Sequence, residues 1–126
     1  MKLILDTHLL LWWLDDSSLL PEDARALISA PENDILVSAV SLWEIWLKQS
    51  LGKLRLPADF EDRLKKEAFE DLPLTGTHTR LIASLPWHHR DPFDRMLVAQ
   101  AQIEGVTLLT ADAKLAAYGD FVRLVA

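Results

Sequence analysis

Short apolar runs recur along the chain, separated by longer stretches in which apolar residues return at helical spacing. The clearest runs are "LIL" at 3–5, "ILV" at 35–37 and "VTLL" at 106–109, with weaker ones at "LPL" 72–74 and "FVRLV" 121–125. Brief unbroken apolar runs suit strands covered on both faces, as in a parallel sheet. Helices are predicted over 9–14, 21–30, 41–51, 58–70, 77–85 and 92–104. Pro21, Glu22 and Asp23 make a favourable first turn, and Gly52 and Gly105 make natural stops. Strand and helix alternate, which predicts a three-layer α/β domain: a central parallel sheet flanked by helices.

A parallel sheet has a consequence for chemistry. Right-handed crossovers bring the carboxyl ends of its strands to one edge, where ligands of open α/β sheets bind. Asp6 follows the first run, residues 38–44 follow the second, and residues 110–112 follow the last of the clear ones. The segment "RDPFDRMLVAQA" at 90–101 adds two more acids at the mouth of a helix. Pro92 suits the first helical position, Asp91 the N-cap, and Asp94 the first turn, where a negative charge offsets the helix dipole.

Capping alone accounts for every one of these acids. Asp6 can cap the helix after the first strand, Ser41 and Glu44 match the spacing of a capping box, and Asp112 precedes the short helical "AKLAAY". The alternative is that Asp6, Glu44, Asp94 and Asp112 converge on one crevice. At ~4 Å and an effective dielectric of about 20, each like-charge pair then costs about 4 kcal/mol. Protonation or a divalent cation relieves that repulsion, and carboxylates with water suit magnesium or manganese.

Composition narrows the choice. The chain has 126 residues, half of them apolar, and is read as a single domain over 1–126. It contains no cysteine, which excludes disulfides, thiolate metal sites and a cysteine nucleophile. A formal charge of −6 argues against a surface coated in bases for indiscriminate nucleic-acid binding, though not against a local basic rim. Asp6 interrupts the apolar start, and the run at 9–14 is too short to span a bilayer, so a cytoplasmic protein with no membrane partner is expected. There is no G-x-S-x-G elbow, Gly-rich phosphate loop or H-x-x-x-H pair. The four histidines, at 8, 78, 88 and 89, show no ligand spacing and are read as surface or packing residues.

"LILDTHLLLWWL", "SAVSLWEIWLKQSLGKL", "HHRDPFDRMLVAQA" and "LLTAD" together resemble, in order and spacing, the PIN-domain nucleases. The opening and the "HRDPFDR" block look most like VapC-type toxins of type II toxin–antitoxin pairs. For the family this implies a PIN-like fold, magnesium-dependent cleavage of RNA by a metal-activated water, a cognate antitoxin that blocks the site, and homodimers or toxin–antitoxin hetero-oligomers. By position, Asp6, Glu44, Asp94 and Asp112 match the family's acidic quartet. Asp6 and Asp94 would be the principal metal ligands, and Glu44 and Asp112 would complete the set directly or through water. Thr7 and Ser41 match positions that hydrogen-bond near the acids, and Asp91 is mainly a cap with a metal contact as its other role.

The remaining candidates concern surfaces. Lys48, Lys53, Arg55, Arg90 and Arg95 are the bases placed to meet RNA phosphates, with Lys48 and Arg95 the leading pair. Trp43 and Trp46, three apart on one helix, are read as core. Leu10, Trp13 and Leu14 are read as part of an antitoxin groove. The competing reading is a PIN-like module that binds RNA or protein without cleavage. A phospho-acceptor domain or a D-x-D phosphatase fits less well, because Asp6-Thr7-His8 lacks their second acid.

Overall fold

A computed structural model describes all 126 residues. Five strands form one sheet: β1 (Lys2–Leu5), β2 (Asp34–Ser38), β3 (Glu70–Leu72), β4 (Thr107–Thr110) and β5 (Val122–Leu124). Their spatial order is β3-β2-β1-β4-β5 and every pairing is parallel. The chain winds outward from β1 through β2 to β3, then returns to the other side of β1 for β4 and β5. The direction of winding therefore reverses between β1 and β4. That is the point where an open α/β sheet leaves a crevice at its carboxyl edge.

The apolar runs divide between two cores with period two, as pleating demands. Leu3, Leu5, Ile35, Val37 and Leu109 point to one face, where helices α1 (Thr7–Leu14) and α2 (Glu22–Ser29) cover them. Ile4, Leu36 and Leu108 point to the other, against Leu97, Val98 and Ala101 of helix α6 (Pro92–Glu104). Helix α3 (Ala39–Ser50) sits at the edge of both, with Val40 in one core and Ile45 in the other. Two short helices, α4 (Phe60–Lys66) and α5 (Gly76–Leu81), complete the layers. None of the helices is long and apolar enough to cross a membrane.

Several boundaries differ from the sequence reading for identifiable reasons. The weak strand at 72–74 lies instead at Glu70–Leu72, because Pro73 has no N–H to donate to a ladder. The helix expected to run to residue 70 ends at Lys66, since those last residues are needed as β3. The helix expected over 77–85 tightens into a 3₁₀ turn at Ile82–Ser84, and "AKLAAY" is wholly 3₁₀. Helix α6 runs from Pro92 to Glu104, and Gly105 ends it at φ +65°, a left-handed conformation that glycine adopts without strain.

Candidate active site

Asp6 leaves β1 at the winding reversal and is buried. Its backbone N–H donates to Leu109 O of β4 at 3.0 Å, so the sheet itself fixes where the side chain starts. One carboxylate oxygen caps α1 by accepting from Leu9 N at 2.9 Å, and the other accepts from Thr110 Oγ1 at 2.5 Å. Burial raises the Asp6 pKa, and those two hydrogen bonds only partly oppose it. Asp6 is thus a cap, yet a desolvated one at the centre of the crevice.

Helix α3 delivers the second acid. Its N-cap is Ser38, whose Oγ accepts from Val40 N at 3.0 Å, so the capping box expected at Ser41 and Glu44 does not form. Ser41 lies inside the helix, buried, and accepts a hydrogen bond from Thr7 Oγ1 at 3.1 Å, joining α3 to α1 beneath the acids. Glu44 is buried too. One of its oxygens is paired with Lys48 a turn further on, and the other, Oε1, has no hydrogen-bond partner at all. A buried carboxylate oxygen without a partner is costly unless something outside the chain supplies one.

Asp94 stands in the first turn of α6, behind its cap. Asp91 performs the capping, accepting from Phe93 N at 2.8 Å and Asp94 N at 3.0 Å. The Asp94 pKa is raised to about 7, first by burial and then by the negative charges of Asp91, Asp6 and Glu44. Three neighbouring acids from three separate segments are therefore close enough to oppose its ionisation. Asp112, after β4, completes the group and itself opposes the ionisation of Asp6. Burial also raises its pKa, but hydrogen bonds from Lys114 N and His89 outweigh that and hold it below the usual carboxylate value.

His89 is the residue that sequence reasoning missed. Its Nε2 lies 2.8 Å from Asp112 Oδ2 and 3.5 Å from Asp94 Oδ2, bridging the two acids. Ligand-type atoms of His89, Asp94 and Asp112 all fall within 4.8 Å of one another, close enough to hold a metal ion. The histidine's own bonding limits its part in that. Nδ1 accepts the Asp91 backbone N–H at 3.0 Å, so Nε2 carries the proton and points it at the carboxylates. In this geometry His89 is a hydrogen-bond donor to the acids, and the oxygen atoms are left as the donor set for a cation. The only hint in the sequence was adjacency to the "RDPFD" segment.

Other expected positions are corrected by burial. Arg95 is 2 % exposed, its Nη2 donating to Leu85 O at 3.1 Å, so it cannot meet a phosphate at the surface. Leu10 is fully buried in the core and cannot touch a partner. Trp13 is half-buried with its indole N–H on Glu67 Oε1 at 3.0 Å, while Leu14 lines an open cleft. Trp43 and Trp46 are exposed rather than core; Trp43 is 55 % exposed and packs edge-on against Phe93 beside Asp94. Lys48 is on the rim, its ammonium held by Glu44, and that hydrogen bond raises its pKa.

The cleft has a volume of about 400 Å³ and runs from Thr7 and Glu44 between α1 and the segment that follows α3. Lys48, Lys53, Arg55 and Arg63 line it together with apolar side chains such as Trp12 and Leu54. Arg63 is paired with Asp59, whereas Lys53 and Arg55 are exposed and form no salt bridge. A chain of net charge −6 thus keeps a local basic wall beside its acids.

Fold and site define a class: an open parallel α/β sheet with carboxylates gathered at its winding reversal. The PIN domain profile matches residues 3–120, and the chain belongs to the PIN domain family, a family of nucleases. VapBC2 from Rickettsia felis, bound to a DNA fragment from their promoter, shares the fold over the whole of both chains, with a TM-score of 0.74 and 16 % identity. FitAcB from Neisseria gonorrhoeae matches 98 % of this chain and 96 % of its own at TM-score 0.66 and 18 % identity. A toxin–antitoxin complex from Klebsiella pneumoniae matches 95 % and 94 % at TM-score 0.64 and 17 % identity. No curated protein sequence matches this chain.

Proposed function

We propose that this PIN domain is a divalent-metal-dependent endoribonuclease and the toxin of a toxin–antitoxin pair. The observation that carries the reading is the convergence of acids from separate segments: Asp94 and Asp112 meet around His89 Nε2, and burial with the charges of Asp91, Asp6 and Glu44 pushes the Asp94 pKa up to about 7. Such mutual repulsion is relieved by a cation, and the unpartnered Glu44 Oε1 and the all-oxygen donor set fit magnesium or manganese. Asp6 and Asp94 would hold the ion, with Glu44 and Asp112 completing the set directly or through water. The chemistry such an ion supplies is Lewis acidity towards a phosphate oxygen and an attacking water.

The chain's own residues have definite tasks in this reading. Thr110 and the Leu9 N–H lock the Asp6 carboxylate, Asp91 fixes the turn that carries Asp94, and Thr7 and Ser41 tie α1 to α3. His89 aims its Nε2 proton into the same space, where it can hydrogen-bond a phosphate oxygen as well as Asp112. Lys53 and Arg55 sit where a strand leaving the acids along the cleft would present its phosphates.

Two further parts of the reading have support of a different kind. The similarity in fold to toxin–antitoxin complexes supports an antitoxin partner. An antitoxin segment filling the cleft past Leu14 would also cover the approach to Glu44 and so block substrate. The exposed apolar side chains of Trp46 and Leu47 on α3 and of Leu51 just after it support a homodimer. The test of the central reading is cleavage of total cellular RNA with magnesium or manganese, wild type beside Asp94→Asn. The near-isosteric variant should retain its fold and lose at least about 100-fold in rate, since losing only a partner that hydrogen-bonds a metal ligand already costs about 10- to 100-fold. Full activity in Asp94→Asn would contradict the reading.

A further inference from the structure

The loop at 85–90 carries the most exposed of the chain's five tryptophans and yet is tied down at nearly every residue. Arg95 Nη2 donates to Leu85 O, the Tyr118 hydroxyl donates to Pro86 O at 2.7 Å, and His89 N donates back to that hydroxyl at 3.2 Å. His89 itself is fixed between the Asp91 N–H and Asp112. From this rigid loop Trp87 projects with 76 % of its surface exposed.

Trp87 is supported on one face. The guanidinium of Arg95 lies over its ring, 3.6 Å from the centroid, in a cation–π contact made from beneath. One face of the indole is therefore clamped by a buried arginine and the other is open to solvent. A pocket of about 260 Å³ lies beside it, lined by His88, His89, Arg90 and Lys114 along with Trp87. Arg90 and Lys114 are exposed and form no salt bridge, and His89 connects this pocket directly to Asp94 and Asp112. Among 19 acids and 13 bases, two free cations beside one pre-oriented aromatic face make a local environment suited to a polyanion with flat, apolar groups.

We propose that Trp87 is a stacking platform for an unstacked base of a single-stranded nucleic acid, with the adjoining phosphates held by Arg90 and Lys114. The inference rests on the nuclease reading, and places a base-binding subsite outside the cleft lined by Lys53 and Arg55, with which it shares no lining residue. Stacking on an aromatic ring tolerates every base, so the platform sets the path and grip of the strand rather than its sequence. Arg95 is a positioning residue: it never meets the strand, but it holds the ring in the orientation that a base would need.

The test uses the full chain carrying Asp94→Asn, so that bound strands are not cut, and fluorescein-labelled oligoadenylate and oligodeoxyadenylate read by anisotropy. Adding Trp87→Ala should weaken binding of the ribo-oligomer, alone or together with the deoxy-oligomer, by about 5- to 150-fold, the range of one base stacked on an aromatic ring. Trp87→Phe should recover much of that loss. A second readout covers a poorly folded alanine variant: oligoadenylate should quench tryptophan emission, and most of the quenching should vanish in Trp87→Phe. Equal affinity in the alanine variant with unchanged quenching, or no binding of either oligomer, would overturn the proposal; a Trp87 needed only for a protein partner would give that result. Cleavage by the otherwise unchanged chain reports separately on the nuclease reading.

Discussion

At the scale of single residues, the acids show how one side chain can serve both as a helix cap and as part of a charged cluster. Asp6, Asp91 and Asp112 each accept a backbone N–H as an N-cap does. Asp94, free of that duty, bears the repulsion. Its folded pKa of about 7 lies above the unfolded value of 3.8. The folded chain therefore binds the extra proton, and this stabilisation is complete below pH 3.8 and lost as pH rises through about 7. The full swing is about 4 kcal/mol at most. Asp6, also raised, acts in the same direction, whereas Asp112, lowered, loses its contribution only as pH falls below its ordinary value of 3.8 and leaves this window untouched. In chelator-treated protein the melting temperature should fall between pH 5 and pH 8, and Asp94→Asn should flatten that slope; an unchanged slope in the variant would show that Asp94 is not the repelled group. The quartet's positions were legible in the sequence because each follows a strand or opens a helix. His89 was not, because a loop histidine gains its partners only when β4 and α6 bring Asp112 and Asp94 together. Arg95 was misjudged for a related reason. Adjacency to Asp94 suggests a shared outlook, but neighbours on a helix point about 100° apart, and this one turns inward to Leu85 and Trp87.

At the scale of elements, the turns into helices place the chemistry. Ser38 ends β2 and caps α3, and its hydroxyl also donates to the buried Gln100 Oε1 of α6, joining the two helices that carry Glu44 and Asp94. Ser38→Ala removes a cap and strands a buried amide oxygen, so urea unfolding should show a loss of about 1–3 kcal/mol. Denaturation indistinguishable from wild type would mean that the cap is not needed. The sequence pointed to Ser41 instead, because a serine three before a glutamate fits a capping box, and spacing alone cannot show which serine begins the helix. The strong strands and α6 were legible from their apolar runs and from Pro92 and Gly105. The element ends around 66–85 were not, since whether residues near 70 finish a helix or begin an edge strand depends on pairing with β2.

At the scale of the whole molecule, an acidic chain meets a polyanion by distributing its charge unevenly. Lys53 and Arg55 stand unpaired on the cleft wall while most acids lie elsewhere or in the crevice. If they contact single-stranded RNA, replacing both with Ser should weaken binding and reduce the slope of log affinity against log salt by about 1.4, since each neutralised phosphate contributes about 0.7. An unchanged slope would remove the cleft from the substrate path. The convergence that unites these scales is testable in one measurement, calorimetric titration of magnesium and manganese into the isolated protein and its Asp94→Asn variant. The account predicts binding to the wild type that is lost in the variant, with protons released as Asp94 ionises near neutral pH. Equal binding to both proteins, or none to the wild type even with single-stranded RNA present, would contradict it.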